Sequence, residues 1–144
     1  MEIKFVKLRP GVQAPRRQTP GSAGLDLRAF LEAPAEIPSG ETRMIPLGFA
    51  AEIPPGFAGF VFSRSGLGAK QGIVVAQGVG VIDSDYRGEW MVPLRNWGED
   101  PYTVMPGDRI AQVVFLRAEA AEFAEGESLS ETQRAQGGFG STKG

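Results

Sequence analysis

At 144 residues, 42% of them apolar, the chain has the size of one domain and enough hydrophobic side chain to bury a core. It has neither cysteine nor histidine, which excludes disulfides, thiolate nucleophiles, imidazole bases and Cys or His metal ligands, so any general base is a carboxylate, a lysine or a tyrosine. Fifteen basic against 17 acidic residues leave a net charge of −2 and no broad basic field for a nucleic acid, and no apolar run has the length of a membrane span or the layout of a secretion signal, so the expectation is a soluble, cytoplasmic protein.

Twenty glycines and 11 prolines break the chain into short pieces, which favours turns and strands over long helices. Leu25 to Arg28 alternates leucine with charge, the pattern of a strand with one apolar and one polar face. Further strands are predicted at Arg43–Leu47, Phe60–Phe62, Gly72–Val75, Trp90–Leu94 and Ile110–Leu116, where β-branched and aromatic residues concentrate. The clusters Pro38-Ser39-Gly40, Pro54-Pro55-Gly56 and Pro106-Gly107-Asp108 read as turns between them. One short helix is expected after Arg64, with Ser65 as its N-cap, running through Leu67, Gly68, Ala69 and Lys70. Short, closely spaced strands make an all-β sandwich or barrel. From Glu125 to Gly144 glycine, serine, threonine and charge take over, so the chain divides into a β domain over 1–124 and a flexible tail over 125–144.

Four segments stand out chemically. Ser63-Arg64-Ser65-Gly66-Leu67-Gly68 has the guanidinium, hydroxyls and close-approach glycines of a phosphate site, and equally the make-up of an ordinary capped turn. Gly80 to Gly88 carries an apolar strand into a polar turn bearing Asp83, Asp85, Tyr86 and Arg87; a solvated hairpin has no need of the tyrosine ring, whereas a ligand-facing one does. In Gly107 to Gln112, Asp108 and Arg109 read as a surface pair, while Gln112, an amide among Ile, Ala, Val and Phe, needs a partner. Arg134 to Thr142 sets one arginine and Phe139 in a glycine-rich run, either plain tail or a lid whose ring stacks on a flat ligand.

Taken in order with Ala23-Gly24-Leu25-Asp26-Leu27-Arg28-Ala29, these segments resemble the motifs of the homotrimeric dUTP diphosphatases (dUTPases), and the resemblance runs along essentially the whole chain. It implies a distorted jelly-roll fold, a homotrimer with active sites shared between subunits, and Mg2+-dependent hydrolysis of dUTP to dUMP and diphosphate, a reaction that limits uracil incorporation into DNA and supplies dUMP for thymidylate synthesis. By the same resemblance Asp83 activates the attacking water; a carboxylate base also accords with the missing histidine. Arg64, Ser65 and Gly66 bind phosphate, Gln112 meets the α-phosphate, and Asp26 reaches Mg2+ through water, the metal riding on the triphosphate. Tyr86 packs on the deoxyribose, main-chain groups around Val81, Ile82 and Asp83 read uracil, Met91 and Gln77 contact the nucleoside, and Phe139 and Arg134 close over base and phosphates.

The sequence departs from the family pattern at Gln77, where asparagine is usual, at Ala135, where glycine follows the arginine, and at Lys143. Two other readings are a dCTP deaminase-like enzyme of the same superfamily and a non-catalytic nucleotide-binding β-sandwich. Pro93 occupies the place of the deaminase's glutamate, and a pure polyanion binder gains nothing from Asp83 beside phosphate.

Overall fold

The computed structural model describes residues 1–137. Eleven strands and one helix follow each other: β1 (Lys4–Lys7), β2 (Leu25–Arg28), β3 (Ala35–Ile37), β4 (Thr42–Pro46), β5 (Phe49–Glu52), β6 (Phe57–Ser63), α1 (Ser65–Gln71), β7 (Ile73–Val75), β8 (Val79–Ile82), β9 (Met91–Asn96), β10 (Tyr102–Val104) and β11 (Arg109–Arg117). All pairings are antiparallel. They build a four-stranded sheet in the order β2-β11-β6-β8, a three-stranded sheet β4-β9-β7, and the pairs β1-β5 and β10-β3. The sheets pack on one another without closing into a barrel, so the sandwich form of the expected fold is the one adopted.

The alternation read in Leu25–Arg28 is realised: Leu27 is fully buried, and the charged face lies opposite. One core joins the sheets, built from Leu27, Ile37, Ile45, Leu94, Val104, Ile110 and Val113 among others. Trp90 fills its centre between Phe49 and Phe115, with ring centroids 5.2 and 6.4 Å away. Burying side chains of this size contributes roughly 1.5–3 kcal/mol each, which is why 3- to 9-residue strands suffice.

Two local expectations are corrected. Ser65 is not the N-cap but the first helical residue of α1; Arg64 takes the cap position with an extended backbone and makes no side-chain cap, because a guanidinium has only N–H donors and cannot accept from the helix amides. The segment around Asp83 is not a hairpin. β8 pairs with β6 and β9 with β4 and β7, so residues 83–90 cross from one sheet to the other. Residues 118–137 carry neither helix nor strand and are almost wholly exposed.

Candidate active site

The crossover opens a cleft at the seam of the two larger sheets. Its walls are Val61, Gly80, Val81 and Ile82 from one sheet and Val75, Met91 and Pro93 from the other, with Gln77, Asp83, Tyr86 and Glu89 at its rim, around a volume of about 260 Å3. Val81 is 59% exposed and Met91 42%, so the apolar wall is open to a ligand. β8 is an edge strand, so one row of its main-chain N–H and C=O groups has no strand beside it. The Tyr86 ring is fixed within its own loop: its hydroxyl donates to the Glu89 carbonyl at 3.0 Å, and the Tyr86 amide donates to the Asp83 carbonyl at 3.3 Å. Glu89 is committed to structure, accepting from the Gly48 amide at 3.0 Å.

A second, polar cleft of about 310 Å3 gathers Asp26, Arg64, Ser65, Gly66 and Gln112 with Gln18 and Ser22. Register explains the gathering: Gln112 stands opposite Asp26 on β2 and Phe62 on β6, and β6 runs directly into Arg64. Asp26 is clamped by two guanidiniums, Arg64 Nε to Oδ1 and Arg109 Nη1 to Oδ2, both at 3.2 Å, with its side chain only 11% exposed. Arg64 Nη1 also donates to the Arg109 carbonyl at 2.9 Å. Two cations on one carboxylate leave the cluster a net positive charge, which suits an anionic ligand. Gln112 finds its partner in the Ser63 carbonyl, 3.2 Å from Nε2, and lies against Gly24, where a Cβ would stand 2.6 Å from Gln112 Oε1.

The expected Asp108–Arg109 pair is absent. Asp108 instead accepts from the Met105 amide at 2.8 Å to close its turn, and Arg109 points across the sheet to Asp26. Arg109 is the site residue that sequence reasoning missed; it lies three residues before Gln112, an odd spacing that the bulge between Arg109 and Ala111 corrects to bring it to Asp26. Among the described residues one pKa is clearly displaced: burial pushes the Tyr102 phenol above its ordinary 10.0, with the Asp108 carboxylate adding to the rise and Arg64 opposing it.

The two clefts share no lining residue. Ile82 stands opposite Gly59, which sets Asp83 level with Ala58; Arg64 lies six residues farther along the same strand, ~20 Å away at about 3.3 Å per residue. The nucleoside-type and phosphate-type residues are therefore brought together as two sets, not one. Arg134 belongs to neither cleft; its Nε donates to the Gly137 carbonyl at 2.8 Å. Phe139 and Lys143 lie outside the described residues.

The family model described as dUTPase matches residues 11–143. The chain belongs to the dUTPase family. A relative from Desulfitobacterium hafniense named deoxyuridine 5'-triphosphate nucleotidohydrolase is 48% identical over 99% of this chain and 95% of its own length. One of the same name from Aeromonas hydrophila is 44% identical, again over 99% and 95%. In fold, the chain superposes on a mutant dUTPase of Staphylococcus bacteriophage 80alpha with dUpNHpp at TM-score 0.88 and 23% identity, covering 97% of each chain. It also matches a mutant dUTPase from phage phi11 of S. aureus, whose structure reveals the coordination of a structural Mg(II) ion, at TM-score 0.80 and 21% identity over 89% and 98% of the two chains.

The donor set bears on the metal. Among the described residues no three acidic side chains converge, and both oxygens of Asp26 already face guanidiniums. Such a site is unsuited to caging a bare ion but fits one that arrives on a triphosphate and keeps its waters, as Mg2+ does.

Proposed function

We propose that this protein hydrolyses dUTP to dUMP and diphosphate, taking the Mg2+ complex of the nucleotide as substrate. What supports the reading above all is family membership along nearly the full chain, joined to a seam cleft that sets Asp83 beside an apolar wall, its other carboxylate, Glu89, being held by the Gly48 amide. Asp83 orients a water on the α-phosphorus and accepts its proton; the new bond forms from water oxygen to phosphorus, the bond to the bridging oxygen breaks, and diphosphate leaves. Mg2+ neutralises phosphate charge when bound, with Asp26 reaching its waters.

The free edge of β8 around Val81 and Ile82 offers main-chain partners for uracil, Gln77 and Met91 border the nucleoside, and Tyr86 presents its ring to the sugar. Arg64, Ser65, Gly66 and Gln112 take the phosphates. Since Asp83 and Gln112 must meet the same α-phosphate yet lie in separate clefts, the phosphate set acts on a nucleotide held by a neighbour's seam, which favours a homotrimer with shared sites. Arg134 and Phe139 close the tail over the ligand. The protein works in the cytoplasm, and no helix among the described residues is long and apolar enough to cross a membrane.

The test is a panel of dUTP, UTP, dTTP and dCTP with and without Mg2+. Diphosphate release from dUTP alone, and only with the metal, is expected; equal turnover of UTP or dTTP, or ammonia from dCTP, rejects the proposal.

A further inference from the structure

Gly88 is not among the seven described glycines that sit at positive φ, so conformational freedom does not explain it. Space does. A Cβ at Gly88 would stand 2.6 Å from Tyr86 Cζ and 3.0 Å from Cε2, and would run into the hydroxyl oxygen as well. The phenol lies against the bare backbone of Gly88, and its hydroxyl reaches the Glu89 carbonyl just beyond it. We propose that Gly88 is a specificity-determining positioning residue: by having no side chain it lets the Tyr86 ring lie back on its own loop, and so sets the depth of the sugar end of the seam cleft.

The inference rests on the reading of Tyr86 as the group that meets the sugar. With any Cβ at position 88 the ring must shift off its place on the loop. Such a shift changes how closely the ring can approach the 2′ position of a bound nucleoside. Discrimination between deoxyribose and ribose is then a property of two residues, one supplying the surface and the other its seat.

The experiment compares kcat/KM for dUTP and UTP in the full-length protein and in Gly88→Ala, Tyr86→Phe and Tyr86→Ala. Expected is a fall of roughly tenfold or more in the dUTP-to-UTP ratio for Gly88→Ala and Tyr86→Ala, with Tyr86→Phe holding a ratio closer to the parent because its ring keeps the seat. If Tyr86→Ala lowers the ratio and Gly88→Ala keeps it within about twofold, the inference is overturned and the sugar reading stands. If Tyr86→Ala itself leaves the ratio unchanged, the sugar reading falls and the inference with it. Should Gly88→Ala fold poorly, melting temperatures decide: its destabilisation must vanish in the Tyr86→Ala background, since the clash is with the ring, and persistence there refutes the proposal.

Discussion

Asp83 stands where β8 leaves the edge of the four-stranded sheet, at the rim of the seam cleft and away from every arginine clamp in the molecule. Its replacement should therefore touch chemistry and little else. Asp83→Asn is expected to lower kcat by about 10²–10⁴-fold while the melting temperature stays within a degree or so of the parent, as steady-state kinetics and calorimetry on one preparation will show. Tyr102 makes the opposite kind of prediction, about stability with no effect on chemistry. Its phenol ionises above 10.0 in the folded chain, so above pH 10 the unfolded chain sheds a proton that the native one retains. Stability is complete below that pH and falls as pH rises through the folded pKa. Thermal unfolding of Tyr102→Phe should accordingly decline less between pH 10 and 11 than that of the parent. At this scale the sequence was legible where a residue type has few uses. Tyr86 stood out because no solvated turn requires its ring, and Asp83 through the family resemblance together with the absence of histidine. Arg109 was hidden because Asp108 beside it offered an obvious local partner, whereas its real one is 83 residues away.

Helix α1 shows what an element contributes when it buries nothing: none of its seven residues is buried. It is held at its end. Gly72 adopts φ +68 as the left-handed C-terminal residue, its amide donates to Gly68 O at 3.2 Å, and a Cβ there would stand 2.7 Å from the Gly98 amide nitrogen. Gly72→Ala should cost about 1–2 kcal/mol from the left-handed backbone, with more from the clash, and should weaken binding of phosphate-bearing ligands more than of deoxyuridine because α1 opens with Ser65 and Gly66. Chemical denaturation and a pair of binding titrations separate the two effects. Element positions were legible in the sequence wherever β-branched residues ran together, so β2, β4, β6, β7, β9 and β11 match expectation to within a few residues. β1, β3, β5 and β10 were not foreseen. Lys4–Lys7 does not alternate, its two apolar residues being adjacent, and Tyr102–Val104 is too short to show a period; each pairs with a strand distant in sequence. For the same reason the hairpin expected at Gly80–Gly88 proved a crossover: turn chemistry is local, while the choice of pairing partner is made across the sheet.

At the level of the whole molecule, the separation of the two clefts is open to a decisive experiment. Arg64→Met and Asp83→Asn are each expected to be nearly inactive alone, but co-expressed at equal levels they should recover activity, because about a quarter of shared sites would draw an intact residue from each parent chain. Recovery in a mixture of pre-assembled variants should wait on subunit exchange. Loss of residues after Glu131 should cut turnover far more than it lowers the melting temperature, because residues 118–137 add no strand to either sheet. The tail has a conformational particularity of its own: Ala135, at the position where the family pattern has glycine, adopts φ +45, a region that costs an alanine roughly 1–2 kcal/mol.

The ~20 Å between Asp83 and Arg64 carries one more consequence, for how activity scales with the amount of protein. On the proposed shared-site reading, a solitary chain, however well folded, holds half of two sites and the whole of none. Output per molecule is then expected to climb steeply with concentration and to level off once assembly saturates; a freshly made chain would be silent until it meets its fellows, and extreme dilution would switch off activity without unfolding the protein.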